Sequence, residues 1–246
     1  MAKKNSALMR EAKETARRML SRHMPQNVWD AYGEACESLE YLRQGEACLK
    51  LMFTSALPHE AKTITVVNMA IALAAEGKRV LLIDADLRTP RINRLFGLEQ
   101  GRGVSELLAR IQDEIIIKRS SYENLFILTA GRPAPNAEDL LASGQLKKIV
   151  QLLSREFDVI LLDSPSVHTA SDAALIGQQV DGCILVVRRG YSRKEPTQHA
   201  VAILEEAGVK IMGTVISSYD SDSRRAHGVE KAAHMDVQID KGGDTV

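Results

Sequence analysis

Three features of the sequence predict a three-layer α/β/α fold with a mostly parallel sheet. Short apolar runs recur without the polar alternation of a half-exposed strand, as strands buried on both faces require. Longer stretches of helical periodicity separate them and supply the right-handed crossovers that parallel strands need. The 246 residues, 45% of them hydrophobic, suit a single α/β core.

Residues 1–27 stand apart in composition. Lys3, Lys4, Arg10, Lys13, Arg17, Arg18 and Arg22 outnumber Glu11 and Glu14, and Leu8, Ala12, Ala16, Met19 and Leu20 recur at helical spacing. The pattern over 1–24 describes either a basic amphipathic helix, able to lie on an anionic membrane surface or a partner, or a solvated leader. Pro25 ends it. The main domain is expected over 28–219, opening with a helix over 28–43. Strands are expected at 48–54, 79–84, 124–130, 158–163, 183–188 and 211–217. A helix over 62–76 carries Val66, Met69, Ala70 and Leu73 on one face and is closed by Gly77. Further helices are expected over 146–155 and 193–207. The segment 220–246 is polar and rich in small residues, and is expected to be a mobile tail.

Composition excludes several function classes. Lys plus Arg and Asp plus Glu are 32 each, so the chain has no basic excess with which to grip nucleic acid. Aromatic residues are 4%, too few for platforms that stack single-stranded bases. Cys36, Cys48 and Cys183 are widely spaced, which suggests reduced thiols rather than a disulfide framework or zinc site. The sequence has neither an apolar run long enough to span a bilayer nor a secretory h-region, so the expected location is cytoplasmic.

Ligands of open parallel sheets sit beyond the carboxyl ends of the strands, so chemistry is sought there. After the first strand comes Ser-Ala-Leu-Pro-His-Glu-Ala-Lys-Thr, ending in Lys62 and Thr63 at a helix start. In a phosphate-binding loop that lysine neutralises nucleotide phosphates and the hydroxyl holds Mg²⁺. Asp84 and Asp86 end the second strand and Asp163 ends the fourth. Each element alone is commonplace, since Lys-Thr often opens a helix and a strand-end aspartate is often an N-cap. Together, in this order, they describe a site able to hold a hydrated Mg²⁺ and polarise a nucleophile.

The stretches TSALPHEAKT, GKRVLLIDADLRTPRINRLFGLEQGRGVSELL, ENLFILTAGRPAPNAEDLLAS, FDVILLDSPSVHTASDAALI and VDGCILVVRRGYSRKEP resemble the cytoplasmic domain of bacterial tyrosine kinases that govern capsule and exopolysaccharide export. The resemblance runs over about residues 30–217. It implies a P-loop NTPase-like fold of the deviant-Walker, MinD-like branch, with ATP or ADP and Mg²⁺ as cofactors. Carried over by motif, Glu60, Ala61, Lys62, Thr63 and Ile64 are expected at the nucleotide. Lys62, Asp84 and Asp86 are expected in catalysis, and Thr63, Asp84 and Asp163 at the metal. The expected partners are a transmembrane polysaccharide co-polymerase or adaptor, or an active kinase, with peripheral attachment at the inner membrane face. Partition and division-site ATPases share the fold, but their loop carries an extra lysine where this chain has Leu57.

The departures from the family fall on function. His59 and Ala61 stand where the family loop has glycines, and Ile64 replaces a second hydroxyl residue. One lost backbone contact to phosphate, together with the strain His59 adds if the family's backbone there needs positive φ, would weaken nucleotide binding on the order of 10²- to 10⁴-fold. Two arginines that clasp neighbouring subunits in the family ring are replaced by Gly33 and Cys36, three and six residues after Asp30. Of Tyr32, Tyr41, Tyr122, Tyr191 and Tyr219, none lies in the position of the family's C-terminal tyrosine cluster, and Ser217 replaces an asparagine near the base. The expectation is a weakly active or pseudokinase regulator or scaffold. The alternative is an active ATP-dependent tyrosine autokinase, and the minor alternative a positioning ATPase.

Overall fold

The structure, a computed structural model, describes residues 16–21, 23–42 and 45–217, together with the backbone of 235–238. Apolar β-branched and leucine-rich runs form the central strands β1 (Leu49–Ser55), β2 (Val80–Asp84), β5 (Val159–Asp163) and β6 (Gly182–Arg188). β4 (Leu125–Leu128) and β7 (Ile211–Ser217) flank them. With β3 (Lys118–Arg119) and β8 (Met235–Gln238), the described strands make one sheet in the order β3-β4-β2-β5-β1-β6-β7-β8. All pairings are parallel except β3 with β4 and β7 with β8. Every residue of β2 and β5 is buried, which explains why neither strand alternates in sequence.

Helices cover both faces and divide the core into two apolar layers. α1 (Gln26–Leu42) packs Tyr32, Ala35, Cys36 and Leu39 inward. α2 (Lys62–Ala75) lies between α1 and the sheet, so every residue from Thr65 to Ala74 is buried. The short helices α3 (Ile92–Leu95), α5 (Ala137–Ala142) and α7 (Asp172–Gly177) follow strand ends, α4 (Val104–Leu108) follows α3, and α6 (Gln145–Leu153) and α8 (Lys194–Glu206) are the longer crossovers.

The strand expected over 124–130 stops at Leu128, because the Thr129 and Ala130 carbonyls accept the Val104 and Ser105 N–H groups that open α4. Gly103 is required at this crossing, since a Cβ there would lie 2.0 Å from the Thr129 carbonyl oxygen. The Glu106 carboxylate ties the two loops together, accepting from Gly103 N–H at 2.8 Å and Arg132 N–H at 3.2 Å. β3 and the four short helices have no counterpart among the sequence expectations.

Both terminal segments depart from the expected picture. Within 220–246, Met235–Gln238 pairs antiparallel with β7 as an edge strand, and the rest of that segment lies outside the described residues. Residues 1–15 of the expected basic helix also lie outside them. Its end, 16–21, is docked. Met19 and Leu20 are buried in the core between α1 and α2, so these two apolar side chains are not available to lipid. The boundary expected between 27 and 28 therefore falls inside the packed body. Among the described residues no helix is long and apolar enough to cross a membrane.

Candidate functional site

The loop between β1 and α2 is built on backbone geometry that its residues do not favour. His59 (φ 67°) and Ala61 (φ 68°, ψ 14°) both adopt left-handed conformations. For an ordinary L-residue this costs roughly 1–2 kcal/mol, which is why glycine is the usual occupant. The loop nonetheless closes into the first turn of α2, where the Ala61 carbonyl accepts Thr65 N–H.

Side chains of the loop itself and of the end of β6 hold this shape. Glu60 is 1% exposed, and its Oε2 accepts Leu57 N–H at 2.8 Å while its Oε1 accepts the Ser192 hydroxyl. Arg188, the last residue of β6, donates from Nη1 to the His59 carbonyl at 3.0 Å and lies over the Tyr191 ring. Glu60 was expected at the nucleotide. Its carboxylate is instead spent within the loop and on the segment that follows β6.

Lys62 and Thr63 open α2 and meet Asp163. The Thr63 hydroxyl donates to Asp163 Oδ2 at 2.7 Å, and Lys62 Nζ lies 3.4 Å from Asp163 Oδ1 and 3.8 Å from Asp86 Oδ2. The register of the sheet causes this meeting, since Asp163 pairs with Phe53 of β1 on one side and Asp84 of β2 on the other. After β5 the chain is tied to the end of β1, where the Thr54 hydroxyl donates to the Pro165 carbonyl and Val167 N–H to the Ser55 carbonyl. Burial pushes the Asp163 carboxyl above its ordinary range, and Lys62 and Thr63 partly offset this.

Asp84 and Asp86 part company. Asp84 is fully buried. Its Oδ1 accepts Asp86 N–H at 3.3 Å and its Oδ2 accepts Arg91 and Ile92 N–H at 3.1 and 3.0 Å. It is expected at the metal, yet it does not line the cavity and instead braces the turn into α3. Burial and the nearby Asp163 push its carboxyl up to about 8. Asp86 does line the cavity, oriented by Thr89, whose N–H and hydroxyl reach Asp86 Oδ1 at 2.9 and 3.1 Å.

Lys62, Thr63, Ile64, Ala61 and Asp86 share one cavity of about 480 Å³, within the usual range for small-molecule sites. It also takes in Arg18, His59, Arg88, Arg91, Ser166 and Arg188, none of which except His59 was singled out from sequence as a site residue. Arg188 could have been found as a strand-end residue. Arg18 carried no local signal. Arg88 is committed elsewhere, forming a two-pronged pair with buried Asp172 at 2.8 and 3.0 Å.

A single hydroxyl, the partly offset carboxylate of Asp163 and the carboxylate of Asp86 suit Mg²⁺, which keeps several waters and takes its remaining ligands from substrate phosphates. Thr63, Asp86 and Asp163 would hold Mg²⁺, which would supply positive charge against the phosphates of a bound nucleotide. Lys62 would neutralise phosphate charge, and Asp163 would fix Thr63 and Lys62.

Comparison with known proteins places this geometry. A family model described as an AAA domain matches residues 60–192. Tyrosine-protein kinase YwqD of Bacillus subtilis (strain 168) is 33% identical over 181 residues, 73% of this chain and 76% of that protein. The kinase domain of Escherichia coli tyrosine kinase ETK superposes with a TM-score of 0.72 at 28% identity, covering 82% of this chain and 80% of that one. The septum site-determining protein MinD of Pyrococcus horikoshii shares the fold, with a TM-score of 0.58 at 23% identity over 68% of this chain and 69% of that one.

Proposed function

The chain belongs to the bacterial tyrosine-kinase family, and from that premise we propose that it is a nucleotide-binding regulator or scaffold of capsule or exopolysaccharide export with weak or no kinase turnover. The observation that carries this reading is the pair of left-handed non-glycine residues, His59 and Ala61, in a loop whose lysine, threonine and aspartates are otherwise in place. A Cβ at Ala61 and an imidazole at His59 crowd the face on which backbone N–H groups would wrap a phosphate, and both line the cavity. Binding is therefore weakened, while the charge arrangement that recognises a Mg²⁺-nucleotide is retained. Thr63, Asp86 and Asp163 form the metal-facing set, with Asp84 positioning Asp86. A transmembrane co-polymerase or an active kinase is the partner this reading implies, at the inner face of the membrane.

The alternative, an active tyrosine autokinase, is favoured by the closeness of Lys62 to both Asp163 and Asp86. Calorimetric titration with Mg²⁺-ATP and Mg²⁺-ADP separates the two. The regulator reading expects weak binding by the wild-type chain, tightened at least about 10-fold by combined His59→Gly and Ala61→Gly, with no phosphotyrosine formed by the wild type. Equal affinity before and after reversion, or phosphotyrosine that disappears in Lys62→Met, overturns it.

A further inference from the structure

We propose that Arg18 is a phosphate ligand of the bound nucleotide, supplied in cis by the segment that precedes α1. The inference rests on the nucleotide reading above. Arg18 lines the same cavity as Lys62, Thr63 and Ile64, although it lies far upstream in sequence.

Its place is fixed by the backbone around it. Asn68, buried on α2, uses both ends of its amide on this segment. Its Nδ2 donates to the Arg18 carbonyl at 3.1 Å and its Oδ1 accepts Leu20 N–H at 2.9 Å. The Leu20 carbonyl accepts the Tyr122 hydroxyl at 2.9 Å, and the Ser21 carbonyl accepts the Trp29 indole N–H at 3.1 Å. Leu20 is fully buried and Met19 nearly so. With its backbone held to the helix that begins with Lys62 and Thr63, Arg18 is kept at the edge of the site, and only its side-chain torsions remain to be ordered when a ligand binds.

The cavity lining carries more basic than acidic residues. Arg18, Lys62, Arg88, Arg91 and Arg188 line it, against Asp86 as the one acid among the lining residues. Arg88 is paired with Asp172, Arg188 reaches the His59 carbonyl, and Lys62 meets Asp163 and Asp86. Cations gathered beside the first turn of α2 oppose the helix dipole and one another, and a polyphosphate relieves both.

The test is titration of the full chain with fluorescent methylanthraniloyl-ATP and -ADP in Mg²⁺, for wild type, Arg18→Lys and Arg18→Ala, with melting temperatures measured alongside. Arg18→Ala is expected to weaken binding about 10- to 100-fold with the melting temperature little changed, and Arg18→Lys to recover part of the loss. Unchanged affinity in Arg18→Ala, with the wild type binding, overturns the role of Arg18 and leaves the nucleotide reading intact. A wild-type chain that binds neither probe overturns both.

Discussion

Two loops meet at the carboxyl end of the sheet, and they hold their shape by opposite means. The turn after β2 is braced by side chains, with the carboxylate of Asp84 satisfying three backbone N–H groups and that of Asp86 fixed by Thr89. The loop after β1 depends on backbone torsions, and here non-glycine residues occupy two left-handed positions. That loop is held by Glu60 from within and by Ser192 and Arg188 from the end of β6 and the segment after it. A turn braced by its own side chains is stable as it stands. A loop that depends on torsions becomes costly when its glycines are lost, and its neighbours must supply the restraint.

Three measurements sharpen this contrast. The largest effect is expected at Asp84. Its carboxyl is held up to about 8, above the roughly 3.9 of an unfolded chain, so the folded state keeps a proton that the unfolded state releases. Its contribution to stability is full below about pH 4 and is lost as pH rises through about 8. Over that window the wild type should lose up to about 1.4 kcal/mol per pH unit relative to Asp84→Asn, measured by urea unfolding at several pH values. Parallel pH profiles for the two proteins would remove Asp84 as the origin.

Next is Glu60→Ala, which leaves the Leu57 N–H and the Ser192 hydroxyl without their acceptor and should cost about 2 kcal/mol of stability. Glu60→Gln, which keeps one oxygen acceptor, should cost less. If the alanine variant unfolds at the wild-type denaturant midpoint, the loop does not need this brace.

The smallest effect belongs to Ala61→Gly. Removing about 1–2 kcal/mol of left-handed strain, offset by about 0.4–1 kcal/mol of extra freedom in the unfolded chain, should stabilise the fold by about 0.5–1 kcal/mol. Calorimetric melting should show a rise of a few degrees at most. A fall would mean that the methyl makes a packing contact worth more than the strain.

How much of this was legible in the sequence depended on whether the determining contacts were local. β1, β2, β5 and β6 could be read because burial on both faces writes itself as a mostly apolar run. Lys62, Thr63, Asp86 and Asp163 could be read because strand ends and helix starts locate them. β3 could not, since Lys118–Arg119 is a two-residue edge strand with no apolar pattern. β8 was hidden in a polar segment because pairing to an edge needs backbone groups rather than hydrophobic side chains. The bracing role of Asp84 and the loop-holding role of Glu60 depend on partners that only the fold brings near. Leu20 read as one member of an amphipathic stripe, and its burial follows from Asn68, whose amide takes up the backbone on either side of Met19.

The docking of residues 16–21 also bears on where this protein can be shortened. A truncation that begins at Gln26, the first residue of a regular helix, would remove buried Leu20 from the core layer that also holds Met69 and Val66, and would take from Asn68 its two backbone partners and from Tyr122 and Trp29 their acceptors. The packing of this layer takes in the chain from Arg18 onward. A fragment cut at the helix would be less stable for reasons unrelated to its enzymology, and a loss of nucleotide affinity in such a fragment would measure that damage together with the missing guanidinium.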